Sequence, residues 1–299
     1  MKRLQASEAV PRLILACAFA AGCGWRSNGL DRLNELHPPA QGAAAPANSS
    51  ACQLPDDPSA TPTQTVGGGC LGLLQGSWAV RLVQFGSISP LGEPWNLTTT
   101  DLFLAALSSD KSSLQLTFCG EENSLTDTSG NPIALAQTTI PPALAGALAA
   151  SPVSIPLPGD GTLHAGPLAW LWGVQGLSNP TTDPLPTAAG DPHVWDQDGD
   201  GNPGVTVDVT NPNGQLYLVK RALWTFGSGT VNQTWLAGPL TFGIEQNALG
   251  ASNPQLTTVA PITPRGDCTS LYQMGCVDPT FTCQRLLDGY TTLFLGAPG

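Results

Sequence analysis

The chain has 299 residues, enough for one large or two small domains, and with 41% hydrophobic residues and eight tryptophans it can bury a proper core. Only 11% of residues are charged, and 34 glycines with 28 prolines favour short strands joined by turns over long helices. Eleven basic against 22 acidic residues leave a net charge of −11, which repels a phosphate backbone, argues against a nucleic-acid partner and makes cations the natural one.

Lys2, Arg3 and Arg12 flank the apolar run LILACAFAA, residues 13–21, which predicts an export signal over residues 1–22. Nine residues cannot span a hydrocarbon layer of about 30 Å, and no later run is long and apolar enough to do so. Ala20-Ala21-Gly22-Cys23 resembles the lipobox of bacterial lipoproteins, with Ala where Leu is usual three places before the cysteine. The resemblance implies that Cys23 is acylated, becomes the mature N-terminus and anchors the chain to a membrane. Ala18-Phe19-Ala20 offers the alternative, an ordinary cleavage that would leave a secreted protein. Loss of Cys17 with the signal and of Cys23 to lipid leaves six of the eight cysteines, Cys52, Cys70, Cys119, Cys268, Cys276 and Cys283, which can pair as three disulfides. Cleavage after Ala20 would leave an odd thiol in an oxidising compartment. No C-x2-C pair is present, so disulfides are expected and zinc is not.

Residues 23–69 read as a lipid-anchored, disordered Ala/Pro/Ser/Gly tether with few large apolar side chains. From 70 to 299 the pattern changes to short apolar runs alternating with period two. GSWAVRLVQF sets Trp78, Val80 and Leu82 on one face, SSLQLTF does so with Leu114, Leu116 and Phe118, and PLTFGIE with Leu240, Phe242 and Ile244. These are expected to be half-buried strands. Further strands are expected at 101–107, 132–138, 153–157, 168–174, 204–210, 215–225, 231–237 and 255–260, with a short helix over 141–151 opened by prolines. The expectation is an all-β domain, an antiparallel barrel or sandwich of roughly 8–10 short strands with one short helix. GVTVDVTNPNGQLYLVKR, with Asn-Pro-Asn-Gly between two apolar runs, predicts a hairpin.

Immediately before that hairpin lies WDQDGDGNPG. Asp196, Asp198 and Asp200 occupy alternate positions, as oxygen ligands of a calcium loop do, and Gly201 falls where such a loop turns sharply. Asn202 would offer its carbonyl, and Asp208, on the opposite face from Val205, Val207 and Val209, could turn toward the ion. The D-x-D-x-D-G stretch resembles the first half of an EF-hand loop but departs from it at the twelfth position, Val207 instead of a bidentate Glu, and a strand follows instead of a helix. The expected ligands are therefore Asp196, Asp198, Asp200, Asn202 and Asp208 around one structural calcium ion, with magnesium or a bare solvated loop as alternatives. Asp191 and His193 adjoin the loop, but calcium prefers oxygen to a ring nitrogen.

No G-x-S-x-G, H-E-x-x-H or phosphate-loop motif is present, and no catalytic residue is assigned. A glycosidase carboxylate pair leaves no linear motif, so Glu93, Glu121, Glu122 and Glu245 are the acids to examine for a hydrolase built from distant strands. Gly76-Ser77-Trp78 resembles the G-x-W that opens lipocalin and related calycin barrels, and Lys220 or Arg221 could pack over that tryptophan. That resemblance implies an apolar ligand cavity. Lipobox, tether, β-domain and acidic loop together resemble uncharacterised outer-membrane lipoproteins of Gram-negative bacteria, which implies an envelope address and no activity. The functions expected are a calcium-binding carrier or binding module for a hydrophobic small molecule or an envelope protein, or a structural protein that calcium only stiffens.

Overall fold

The computed structural model describes Cys52 and residues 76–89, 92–134, 137–157, 163–231, 235–256 and 259–288. The expected export signal, Cys23, Cys70 and nearly all of the tether lie outside these residues. The described residues form, in chain order, β1 (Ser77–Ile88), β2 (Trp95–Leu107), β3 (Ser113–Thr126), β4 (Gln137–Thr139), α1 (Pro142–Ala149), β5 (Val153–Pro156), β6 (Ala165–Trp172), β7 (Val205–Thr210), β8 (Gly214–Phe226), β9 (Thr230–Val231), β10 (Trp235–Ala251), β11 (Thr263–Pro264), β12 (Leu271–Val277) and α2 (Cys283–Leu287). All pairings are antiparallel, and the strand path is β4-β7-β8-β10-β12-β1-β2-β3-β5. The architecture is the expected all-β one, folded as a sandwich.

One strand makes the sandwich. The first five residues of β10, Trp235 to Pro239, pair with β12, while Leu240 to Ala251 pair with β8, so the strand passes from one layer to the other. Pro239 stands at the changeover, where its missing N–H leaves no gap in a continuing ladder. β8 is shared within one layer, its first half pairing with β7 and its second with β6.

Between the layers, rings from both sides interlock. Phe103 of β2 meets Trp170 of β6 at 5.4 Å and Trp224 of β8 at 5.7 Å between centroids, and Trp170 meets Trp172 at 4.9 Å. All three contacts are edge-to-face, the geometry in which an aromatic pair adds about 0.5–1.5 kcal/mol beyond its burial.

Several elements differ from the sequence expectation. β1 is buried on both faces, not half-buried: Trp78, Val80 and Leu82 enter the main core, while Ala79 joins Leu102, Val277, Phe281 and Leu286 in a second cluster beneath α2. The helix expected at 141–151 forms over 142–149 and buries Leu144 and Leu148. The strand expected at 132–138 shrinks to β4, and 255–260 forms no strand among its described residues. Cys52–Cys268 and Cys119–Cys283 are disulfides, and Cys276 is disulfide-bonded as well.

Candidate metal centre

After β6 the chain runs through residues 173–204 before β7 begins, and the two ends of this excursion are stitched together. The Trp195 N–H donates to the Gly173 carbonyl, the Gln175 N–H to that of His193, and the Gly173 N–H to the buried Gln197 side-chain oxygen. Gln197 in turn donates its N–H to the Gly204 carbonyl, which closes the WDQDGDGNPG turn on itself. Gly204 has φ +83°, and a Cβ there would lie 2.3 Å from the Leu218 carbonyl oxygen, so only glycine lets the turn rest on β8.

Within this frame Asp196, Asp198 and Asp200 each present a carboxylate oxygen such that the three lie within 4.8 Å of one another. Backbone amides hold them there. Asp196 accepts from the N–H groups of Asp200 at 3.1 Å and Gly201 at 2.9 Å, and the latter sits at φ +86°, the sharp turn the sequence requires. Asp198 Oδ2 accepts from the Thr206 N–H at 2.9 Å, at the start of β7, while its Oδ1 is buried without a hydrogen-bond partner. Asp200 accepts from both the backbone N–H and the side-chain amide of Asn202.

Burial, reinforced by the charges of Asp200 and Asp196, holds the Asp198 carboxyl above the usual aspartate range despite the opposing Thr206 N–H. Burial would raise Asp200 too, but hydrogen bonds from Thr206 and Asn202 outweigh it and leave that carboxyl low. The cluster thus brings the oxygens of three carboxylates together. That chemistry suits a hard divalent cation.

Of the other expected ligands, Asn202 lies in the turn with its side-chain amide on Asp200. Asp208 lies in β7 opposite Thr139 and Gln215, where the Gln215 side chain donates to it at 3.2 Å; it is not part of the three-carboxylate group. Val207 is fully buried in the core, which accounts for the missing twelfth-position ligand: that position belongs to the strand. Asp191 caps its own turn by accepting from the His193 N–H, and His193 Nδ1 contacts the Gln175 carbonyl. A second candidate group, Cys52, Asp267 and Cys268, has both sulfurs consumed in a disulfide.

Trp78 is packed in the main core at 2% exposure. Lys220 lies with its ammonium 4.0 Å from the Trp172 ring centroid, and Arg221 reaches the Pro180 and Asp183 carbonyls and pairs with Glu245. Glu93 is exposed at the surface. Glu121 is buried and ion-paired with Lys220, a meeting of distant strands that sequence reasoning singled out only as one acid among four. No family model matches the chain, and comparison with the curated proteins and with the solved structures found no match.

Proposed function

We propose that this protein is an envelope-anchored β-domain that binds one calcium ion through Asp196, Asp198 and Asp200 and acts as an interaction module, not as a catalyst. The observation that carries the reading is the convergence of three carboxylates with one buried oxygen of Asp198 left unpartnered, since such a group is satisfied by a cation. The backbone carbonyl of Asn202 and water would complete the oxygen shell. The ion's work is to stiffen the stitched turn that leads into β7. Trp195, at 37% exposure the large hydrophobic side chain most open to solvent among the described residues, directly precedes Asp196. It supports an apolar ligand or envelope protein as the partner, met on a surface that calcium orders.

An extracellular site of this kind has a dissociation constant of about 10⁻⁴–10⁻³ M, so 10 mM calcium, taken as an order of magnitude, stabilises by about 1.4–2.7 kcal/mol. For a domain of this size that is a rise in Tm of roughly 3–10 °C. The test is thermal unfolding with calcium and with chelator, for the wild type and Asp198→Ala. The wild type should show the rise and the variant should not. Equal rises in the two proteins would remove the site.

A further inference from the structure

The interior of the sandwich holds a polar group that the calcium loop does not touch. Asp101 of β2 and Glu121 of β3 stand directly opposite each other on the inner face, and Lys220 of β8 reaches them from the other layer. Its Nζ lies 3.1 Å from Glu121 Oε2, with the two side chains 3% and 0% exposed, so the ion pair is sealed from water. Lys220 is one of only three lysines in the chain.

Several neighbours of the pair are held by further contacts. The Trp172 ring lies beneath the Lys220 ammonium. The Asn123 side-chain NH2 donates to Glu121 Oε1 at 2.7 Å, and its orientation is set by the Thr99 hydroxyl, which donates to Asn123 Oδ1 at 2.5 Å. The Gln84 side-chain NH2 donates to Asp101 Oδ2 at 2.5 Å, while the Trp224 indole N–H holds Gln84 from the other side. Burial first, and then the charge of Glu121, push the Asp101 carboxyl well above its ordinary range, toward the protonated form, and its Oδ1 is buried with no hydrogen-bond partner.

We propose that Lys220 and Glu121 condense within the folded core to a side-chain amide, with release of one water molecule. In bulk water an ammonium and a carboxylate resist condensation because hydration stabilises both ions. Here folding has already stripped that hydration away, and forming a neutral amide removes two charges from a low-dielectric interior. Contact at 3.1 Å replaces a bimolecular encounter with a fixed approach.

The step balances within the cluster. One proton passes from the Lys220 ammonium to Glu121 Oε2, and the free amine attacks Cδ. The charge that develops on Oε1 meets the Asn123 NH2, a donor already in place. Asp101 gives its proton to Oε2 and takes a second one from Nζ. The Nζ–Cδ bond forms and the Cδ–Oε2 bond breaks; Oε2 departs as water with one ammonium proton and the proton from Asp101, the second ammonium proton restores Asp101, and the third remains on the amide. Neither an oxidant nor a cofactor is required. The product would rivet β3 in one layer to β8 in the other.

The chain is well suited to the test, because between Lys111 and Lys220 there is no lysine or arginine. The purified full chain is reduced, alkylated and digested with trypsin. The expected product is a peptide spanning residues 112–221, uncut at Lys220, lighter than its sequence by one water, and giving no backbone fragments between 121 and 220. In Lys220→Arg the deficit should vanish. In Asp101→Asn, with folding checked by near-ultraviolet circular dichroism, the bond should be lost or formed many-fold more slowly, since the proton relay is gone while the Lys220–Glu121 contact remains. A wild-type peptide 112–220 of full mass overturns the proposal outright, so the decision does not depend on any variant folding. A deficit that persists in Lys220→Arg overturns it as well, and a link from Lys220 to peptide 82–111 would show that Asp101, not Glu121, is the acceptor.

Discussion

Asp198 differs from its two partners in the loop because it is the one whose carboxylate is turned inward, with one oxygen on the Thr206 N–H and the other buried and bare. Burial is the main reason its carboxyl sits above the usual range, and the charges of Asp200 and Asp196 add to it. In the absence of calcium, a carboxyl raised in the folded state stabilises the fold fully below its unfolded pKa of about 3.9, and this contribution is lost as pH rises through the folded value. Calcium requires the carboxylate and must displace that proton. The rise in Tm produced by calcium should therefore be small near pH 4 and grow as pH increases through the Asp198 transition. Asp198→Asn should flatten both curves. A calcium increment of full size at pH 4 would mean that Asp198 is not a ligand. Alternate aspartates and a glycine at the turn made this cluster legible in the sequence, because the ligand spacing of a tight loop is local. Asp208 was not legible in the same way, because whether a strand residue turns toward a loop depends on its cross-strand neighbour, here Gln215.

At the scale of elements, the strands with clean alternation were legible, as was β1 although it is buried on both faces, whereas β12 was not. β12 reads Leu-Tyr-Gln-Met-Gly-Cys-Val and is buried almost throughout, since it lies between β10 and β1 with one side in the main core and the other near α2. Its glutamine is spent on Arg81, whose guanidinium donates to Gln273 across the strand pair at 2.9 Å, a partnership that sequence spacing cannot reveal over 192 residues. The helix α2 was equally hidden. Five residues are too few for a helix to stand alone, and this one persists because Leu286 and Phe281 cover Ala79 and Leu102 while Cys283 is tied to Cys119 of β3. Replacing Cys119 and Cys283 together with serine should lower stability by about 2–5 kcal/mol in urea unfolding, because the bond closes a loop with a sequence separation of 164. It should also speed amide exchange at 283–288 far more than in β6 or β8. Uniform exchange across the domain would show that packing alone holds α2.

At the scale of the whole molecule, charge and anchor make opposite demands. The chain is acidic, and removal of the expected signal with Lys2, Arg3 and Arg12 makes it more so, so an anionic membrane surface repels the domain. No described helix is long and apolar enough to cross a membrane. Attachment through acylated Cys23 would then gain nothing from electrostatic attraction. Between Cys23 and Cys52, which is disulfide-bonded to Cys268 just ahead of β12, the chain can extend at most about 100 Å at roughly 3.3–3.6 Å per residue. Such a reach permits a domain held well clear of the surface that repels it. Cys23→Ser should accordingly move the protein from the membrane pellet to the soluble fraction nearly completely, even at low salt, where a basic domain would have stayed bound. Because the substitution lies far in sequence from the calcium loop, the released protein should keep the calcium-dependent rise in Tm. Retention of Cys23→Ser in the pellet after a salt wash would place the membrane contact in the β-domain and refute the lipid anchor. Release at low salt together with an intact calcium response would separate the two halves of the proposed function, one residue for address and one loop for binding.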